Sequence, residues 1–115
     1  MQEKTHHYNA TVTWTGNAGS GTSGYTAYSR EHTIEVPGKP EILASADPTF
    51  QGDPARHNPE DLLVASLSGC HMLCYLGLCA KHGIVVTGYV DSAEGTTREQ
   101  VDGSGSFSLC VFSVT

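Results

Sequence analysis

NPEDLLVASLSGCHMLCYLGLCAKHG, residues 58–83, is the stretch that decides the fold. Asn58 is a preferred helix cap, Pro59 suits the first helical position, and the two acidic residues that follow complement the positive end of the helix dipole. Gly83 can end the helix shortly after Lys81. Apolar residues occupy nearly the whole circumference between these ends, which is typical of a helix buried on most sides. The stretch therefore predicts a long core helix.

Composition narrows the classes of protein that fit. The 115 residues suit a single domain over residues 1–115. Six basic against twelve acidic residues give a formal charge of −6, and no basic cluster indicates nucleic-acid binding. The charged ends and internal polar residues of the predicted helix argue against a membrane span. The N-terminus lacks a signal-peptide pattern, so we expect a cytoplasmic protein with its cysteines reduced and with small molecules or proteins as partners.

Strands are predicted on both sides of the helix. Before it, residues 8–14 and 25–36 alternate in a strand-like way and residues 41–46 form a shorter strand; after it, residues 84–94 and 107–115 read as strands around a polar, turn-rich segment. This order is typical of an α+β fold. The glycine-rich residues 15–24 predict a hairpin loop, because the Lys-Ser/Thr of a phosphate-binding loop does not follow. The apolar last strand would be an exposed sheet edge unless a second subunit covers it.

Cysteines and histidines crowd the second half of the helix. Cys70, His71, Cys74, Cys79 and His82 fall within thirteen positions, which invites a metal-site interpretation. At about 100° per residue, however, Cys79 lies opposite Cys70, so one straight helix cannot place three thiolates around one ion. We therefore predict no metal site, and interpret Cys74 and Cys79 as small buried core residues.

Cys70 differs from the other cysteines because it follows Ser68 and Gly69, where the helix is weakest. A break there would place Cys70 at a new helix N-terminus and favour its nucleophilic thiolate. The alternative is a packed core cysteine beside a glycine that contacts another segment. The residues alone leave both interpretations open.

A resemblance to the OsmC/Ohr family, the osmotically inducible and organic-hydroperoxide-resistance proteins, is carried by two segments. They are HHYNATVTWTGNAGSGTSGYTAYSREHTI at 6–34 and SADPTFQGDPARHNPEDLLVASLSGCHMLCYL at 45–76, and the chain resembles the OsmC-like branch in particular. The most specific element is NPEDLL with Cys70 ten residues after Glu60. The WTGN and YSR pieces support it, and the similarity runs from about residue 6 to about residue 105.

The resemblance implies an antiparallel sheet packed on the long central helix, in an intertwined homodimer with active sites at the subunit interface. It implies a peroxidase, without cofactor or metal, that reduces organic hydroperoxides and hydrogen peroxide in oxidative stress defence. Cys70 would be the nucleophile that becomes a sulfenic acid. Glu60 would pair with an arginine that stabilises the thiolate and orients the peroxide. Arg30 is the first choice for this arginine and Arg56 the second.

Each of these charged residues also has a plainer interpretation. Glu60 could simply complement the helix dipole in the first turn. Arg30 could pair with an acid on a neighbouring strand, worth about 1 kcal/mol or less if exposed. Arg56 could be a solvent-exposed charge of the loop before the helix.

Distance along the helix constrains how Glu60 and Cys70 could cooperate. Ten residues of straight helix put them about 15 Å apart. They can serve one pocket only if the helix breaks near Ser68 and Gly69, or if they come from different subunits. We favour the second possibility, which requires a dimer.

The chain departs from the family at its C-terminal end. Family members continue with a further strand and helix that usually carry the resolving cysteine, whereas this sequence ends at Thr115, so we expect a C-terminally shortened domain. Cys110 is the remaining internal candidate for a resolving cysteine; otherwise an external thiol or lipoyl-type dithiol would reduce the sulfenic acid. The alternative functions are a catalytically silent OsmC-like structural or small-molecule-binding protein and, well behind, a metal-binding protein.

Overall fold

A computed structural model describes residues 4–99 and the backbone of residues 105–114. The chain forms two compact units, Met1–Pro59 and Glu60–Thr115. The elements are those of an α+β protein, with antiparallel sheets and one long helix. The α+β prediction is therefore confirmed, while the single domain over residues 1–115 stays a prediction.

The first unit contains a three-stranded antiparallel sheet in the order β1-β2-β3. Its strands are β1 (Thr11–Trp14), β2 (His32–Glu35) and β3 (Ile42–Ala44). The register places Val12 opposite Ile34 and Thr33 opposite Leu43. Because β1 and β2 pair directly, the glycine-rich segment between them lies in a hairpin connection, as predicted.

The hairpin connection is longer than expected, because residues 25–31 are not a strand. Arg30 donates hydrogen bonds to the backbone carbonyls of Tyr25 and Tyr28, so these two carbonyls bond a side chain instead of a neighbouring strand. At the base of the loop the N–H of Ser29 donates to the carbonyl of Gly16 over 2.9 Å. A side chain at Gly16 would collide with the carbonyl of Ser29, so only glycine permits this approach.

A second folded loop, residues 45–57, leads from β3 to the helix. Ser45 is fully buried, and its N–H donates to the carbonyl of His57 at the other end of the loop. Asp47 caps a short 3-10 helix, Pro48–Phe50, by accepting from the N–H of Thr49. Gly52 lies against the carbonyl of Ala46, where a Cβ would collide. The loop is thus closed at both ends and fixed in between.

The predicted long helix is confirmed: α1 spans Pro59–Lys81, and it does so without interruption. Gly83 adopts φ 70° and ends it, and the N–H of Ile84 donates back to the carbonyl of Cys79. The predicted burial on most sides is wrong for the single chain, since Cys79 alone among the 23 residues is buried. Cys74, predicted to be buried, is exposed. The exposed large apolar side chains of α1 are Leu63, Leu67, Leu73, Tyr75 and Leu78.

By length and composition α1 could cross a membrane. Its most apolar 18-residue window has a mean hydropathy of 1.7, and 6% of that window is buried. One such helix is weak evidence, because the core helix of a soluble protein passes the same test. The expectations of no membrane association and of a cytoplasmic location stay predictions.

The second unit also contains a two-stranded antiparallel sheet, of β4 (Val90–Glu99) and β5 (Gly105–Val114). The pairing runs from Val90 opposite Val114 to Glu99 opposite Gly105. The predicted strand over residues 84–94, followed by a polar turn segment, is wrong in its bounds. Residues 84–89 are not part of a strand, and the strand continues through the polar residues up to Glu99. Hydrogen bonds from β5 extend β4 through a threonine-containing segment that strand geometry suits. Of the expected turn, residues 100–104 lie outside the described residues.

Candidate functional site

Cys70 lies near the middle of α1 and is exposed in the single chain. The helix continues through Ser68 and Gly69, so the interpretation in which a break places Cys70 at a helix N-terminus is wrong. The alternative, a packed core cysteine, is wrong for the single chain because Cys70 is exposed. Glycine in a helix interior costs roughly 1 kcal/mol relative to alanine, which is too little to interrupt a helix of this length. Cys70 is therefore an exposed thiol on an unbroken helix.

Glu60 lies in the first turn of the same helix and is half-buried. Since α1 is unbroken, Glu60 and Cys70 stand about 15 Å apart along its axis. One chain does not bring these two residues together. The way that required a break in the helix is therefore excluded.

Arg30 lies two residues before the first residue of β2 and is half-buried. Its Nη1 donates to the carbonyl of Tyr28 over 2.7 Å, and its Nη2 donates to that of Tyr25 over 2.6 Å. The guanidinium carbon also lies 3.8 Å from the ring centre of Tyr28 and 4.5 Å from that of Tyr25. The plainer interpretation expected Arg30 to pair with an acid on a neighbouring strand. The partners that the structure shows are instead two carbonyls and two aromatic rings.

Arg56 lies in the loop that leads to α1, and its side chain is 24% exposed. Its Nη2 is 3.9 Å from a carboxylate oxygen of Glu31, and its Nε is 3.9 Å from one of Asp53. Asp53 also accepts from the N–H of Ala55. The plainer interpretation of Arg56 as a solvent-exposed loop charge is therefore wrong, because the residue is a half-buried member of an ion-pair cluster.

The contact of Tyr25 and Tyr28 with Arg30 was not predicted from the sequence. Their alternation with polar residues favoured a strand, in which Tyr25 and Tyr28 would point to opposite faces. The spacing Tyr-x-x-Tyr-x-Arg was a signal for the arrangement, but only the loop conformation brings both rings onto one guanidinium. Trp14 completes the cluster by meeting the ring of Tyr28 edge to face, with 5.7 Å between ring centres.

A contact in the second unit ties the helix turn before Cys70 to β4. The hydroxyl of Ser68 donates to Oδ2 of Asp91 over 2.5 Å. Oδ1 of Asp91 is buried and has no hydrogen-bond partner among the described residues. Sequence reasoning did not identify this pair, because Ser68 and Asp91 are 23 positions apart and belong to different elements.

The remaining cysteines occupy different surroundings. A hydrogen bond with the Cys79 side chain raises the pKa of Tyr75, and the charge of the Cys79 thiolate, partial burial and nearby Tyr89 act in the same direction. The rings of Tyr75 and Tyr89 lie 5.8 Å apart. Cys110 stands in β5 opposite Glu94, and its side chain lies outside the described residues. Its predicted resolving role stays a prediction.

Within the described part of the chain, no three His, Cys, Asp or Glu side chains come together in a way that could hold a metal ion. The unbroken course of α1 keeps Cys70 and Cys79 on different sides of the helix.

Comparison with known proteins shows the family of the chain. No family model matches the chain, and no curated protein matches it. Among solved structures, an OsmC-like protein of unknown function from Vibrio cholerae O1 biovar eltor is similar, with 32% identity and a TM-score of 0.75. The match covers 96% of this chain and 79% of that one. This identity over most of both chains, together with the shared fold, shows that the chain belongs to the OsmC-like family.

Proposed function

We propose that this protein is a thiol-dependent peroxidase that reduces organic hydroperoxides and hydrogen peroxide in oxidative stress defence, with Cys70 as its nucleophile. The observation that carries the proposal is an exposed cysteine on the unbroken helix that begins with Asn-Pro-Glu, in a chain of the OsmC-like family. An exposed thiol is accessible to a peroxide, whereas a buried one such as Cys79 is not.

The reaction needs no metal or organic cofactor. The Cys70 thiolate attacks the terminal oxygen of the hydroperoxide, the O–O bond breaks, and an S–O bond forms. Sulfur loses two electrons and becomes a sulfenic acid, while the peroxide gains them and leaves as an alkoxide that takes up the proton released by the thiol. The products are the sulfenic acid and an alcohol, or water when the substrate is hydrogen peroxide.

The active form in this proposal is a homodimer. Glu60 and Cys70 are about 15 Å apart on one straight helix, so Glu60 of one chain would complete the pocket around Cys70 of the other. The exposed leucines of α1 support such an arrangement, because burying apolar surface contributes about 25 cal/mol of favourable free energy per Å².

Return to the thiol requires a reductant. A thiol of an external lipoyl-type dithiol attacks the sulfenic sulfur and releases water, and its second thiol then displaces Cys70 as a thiol. Cys110 of β5 is the internal alternative, by forming a disulfide with Cys70 that the same dithiol would reduce.

Mass spectrometry of the protein treated with one equivalent of an organic hydroperoxide tests the proposal. We expect Cys70 to gain one oxygen atom when no reductant is present and to return to the thiol when a dithiol is added. Peroxide consumption should stop in Cys70→Ser. Cys74→Ser is the matched control, because Cys74 is an exposed thiol one turn along the same helix. Absence of peroxide consumption would overturn the proposal and favour the catalytically silent alternative. Consumption that survives Cys70→Ser would overturn the role of Cys70 as the nucleophile.

A further inference from the structure

Two thiols share one side of α1. Cys70 and Cys74 are both exposed, and both stand on the unbroken helix. Four residues advance a helix by about 400°, so the two side chains leave it only about 40° apart and one turn from each other. Cys79 is buried and lies about 180° around the helix from Cys70. The exposed side of α1 therefore carries a pair of thiols, and the remaining thiol of the helix is turned away from them.

The spacing of this pair suits a bridging ion better than a disulfide. Residues four apart on a helix have their Cβ atoms about 5–6 Å apart, whereas a disulfide needs about 3.5–4.5 Å. The pair therefore cannot close into a disulfide without unwinding α1. An ion held in a line between two thiolates, with bonds of about 2.3 Å as in zinc thiolates, sets the sulfurs about 4.6 Å apart. Two nearly parallel side chains reach that spacing by a small tilt.

The number of ligands indicates which ion fits. Among the residues that the structure describes, no third His, Cys, Asp or Glu side chain joins the pair in a group that could hold a metal. Zinc takes four protein ligands in structural sites and three in catalytic ones, and calcium and magnesium take oxygen ligands. Soft thiolates select Cu(I), which has a filled d shell and accepts two ligands in a line. Two thiolates without a third ligand therefore fit Cu(I).

The surroundings of the pair are apolar. Leu63, Leu67 and Leu78 lie within about 80° of Cys70 around the helix, and each is at least 43% exposed. A hydrophobic shell limits the access of water to a metal centre. These side chains also offer no oxygen ligand of the kind that a hard cation prefers. Both effects favour a soft ion over a hard one at this place.

We propose that Cys70 and Cys74 form a binding site for Cu(I), held between their two sulfurs. Each thiol releases a proton as its S–Cu bond forms, and the metal stays in the +1 state, so the bis-thiolate complex carries a single negative charge. Binding needs no peroxide and does not depend on the proposed function. One consequence does rest on that function: a Cys70 thiolate bound to copper cannot attack a hydroperoxide, so Cu(I) should inhibit peroxide reduction.

Anaerobic titration of the reduced protein with Cu(I) tests the site, in competition with bicinchoninate, a chelator whose copper complex is coloured. We expect the wild type to retain one Cu(I) per chain. Cys70→Ser and Cys74→Ser should lose it to the chelator, because each keeps only one of the two thiolates. X-ray absorption of the loaded protein should show two sulfur ligands. Half a copper per chain, or more than two sulfurs, would place the ion between two copies and overturn a site on one helix.

The matched control keeps the number of thiols and changes their spacing. In Cys74→Ser combined with Ala80→Cys, the second thiol stands ten residues from Cys70, roughly 15 Å along the axis. Ala80 is exposed, so the circular dichroism of the helix should not change. This variant should retain no copper, whereas Cys79→Ser should bind as the wild type does. Wild-type retention by the first variant, or loss of binding in the second, would overturn the inference.

The titration also separates this site from the proposed function. Copper that is held by Cys70 and Cys74 in a protein that consumes no peroxide would overturn the proposed function and support the metal site. A protein that reduces peroxide through Cys70 and yet gives up Cu(I) to the chelator would overturn the metal site alone.

Discussion

The loops of the first unit and helix α1 of the second are stabilised in opposite ways. In the loops, polar groups find partners a few residues away: Asp47 accepts from Thr49, Asp53 accepts from Ala55, and Arg30 donates to Tyr28. In α1, by contrast, four leucines remain exposed: Leu63, Leu67, Leu73 and Leu78. The difference teaches that the loops are ordered by contacts within one chain, whereas the apolar surface of α1 adds stability only when something covers it.

The largest effect should follow from a charge on the apolar surface of α1. Leu73 is 66% exposed, so Leu73→Glu should cost a single chain little. If a second copy covers this surface, the buried charge should weaken the dimer by about 3 kcal/mol or more and abolish peroxide reduction with it. Sedimentation at several protein concentrations measures the association.

The control for association is His71→Glu. His71 is exposed and lies about 200° around the helix from Leu73, so its side chain is on the opposite side of α1. It should dimerise like the wild type. A monomeric Leu73→Glu variant that still reduces peroxide would contradict the shared-site proposal.

The next effect tests the loops. Gly52→Ala would force a Cβ against the carbonyl of Ala46, so the free energy of unfolding should fall by about 1–3 kcal/mol. At Gly24 a Cβ would make only an ordinary contact, 3.8 Å from that of Ala27, and Gly24→Ala should change stability by less than about 0.5 kcal/mol. Urea denaturation measures both. Equal stability of the two variants would mean that the loop gives way at low cost.

A smaller effect should distinguish two glycines of α1. Among the described residues, a Cβ at Gly69 or at Gly77 would meet no atom within 4 Å. Alanine should therefore stabilise the helix by roughly 1 kcal/mol at either position in a single chain. If a second copy packs closely beside Cys70, Gly69→Ala should lose this gain and Gly77→Ala should keep it. Thermal unfolding measures the stability of the two variants, and sedimentation measures their association. If both variants behave identically, Gly69 does not lie in an interface between two copies.

The smallest effect concerns pH and the first unit. Hydrogen bonds from the Thr49 side chain and backbone N–H hold the pKa of Asp47 below its ordinary value of 3.8. A lowered folded-state pKa contributes stability that is present above 3.8 and is lost as the pH falls through the folded-state value. Asp47→Asn should remove this part of the acid dependence while keeping a capping side chain. Superimposable acid-unfolding curves for the two proteins would contradict this.

The sequence predicted the elements whose signals are local. The start of α1 at Pro59 and its end before Gly83 follow from residues at those positions, and the hairpin follows from the glycines of residues 15–24. The pattern failed where a side chain or a second strand competes for the backbone. Residues 25–31 form a loop because Arg30 takes two carbonyls, and β4 extends to Glu99 because β5 pairs with it.

The candidate residues were named from the sequence, whereas their contacts are visible only in the structure. Motif positions gave Cys70, Glu60 and the choice between Arg30 and Arg56, all of which stay proposals for function. The contacts of Arg30 with the rings of Tyr25 and Tyr28, and the pair of Ser68 with Asp91, could not be predicted. Each depends on how loops and strands place side chains.

By itself the sequence determined the α+β order, both ends of the long helix and the position of the cysteine within it. These features depend on caps, glycines and apolar spacing, which act over a few residues. Only the tertiary structure decided that the helix passes Ser68 and Gly69 unbroken, that its leucines stay exposed in one chain, and that Arg30 rather than Arg56 is held by rings and carbonyls. In each case the local preference of the sequence is weak. Packing, hydrogen bonds and charges that only the folded chain brings together therefore decide the outcome.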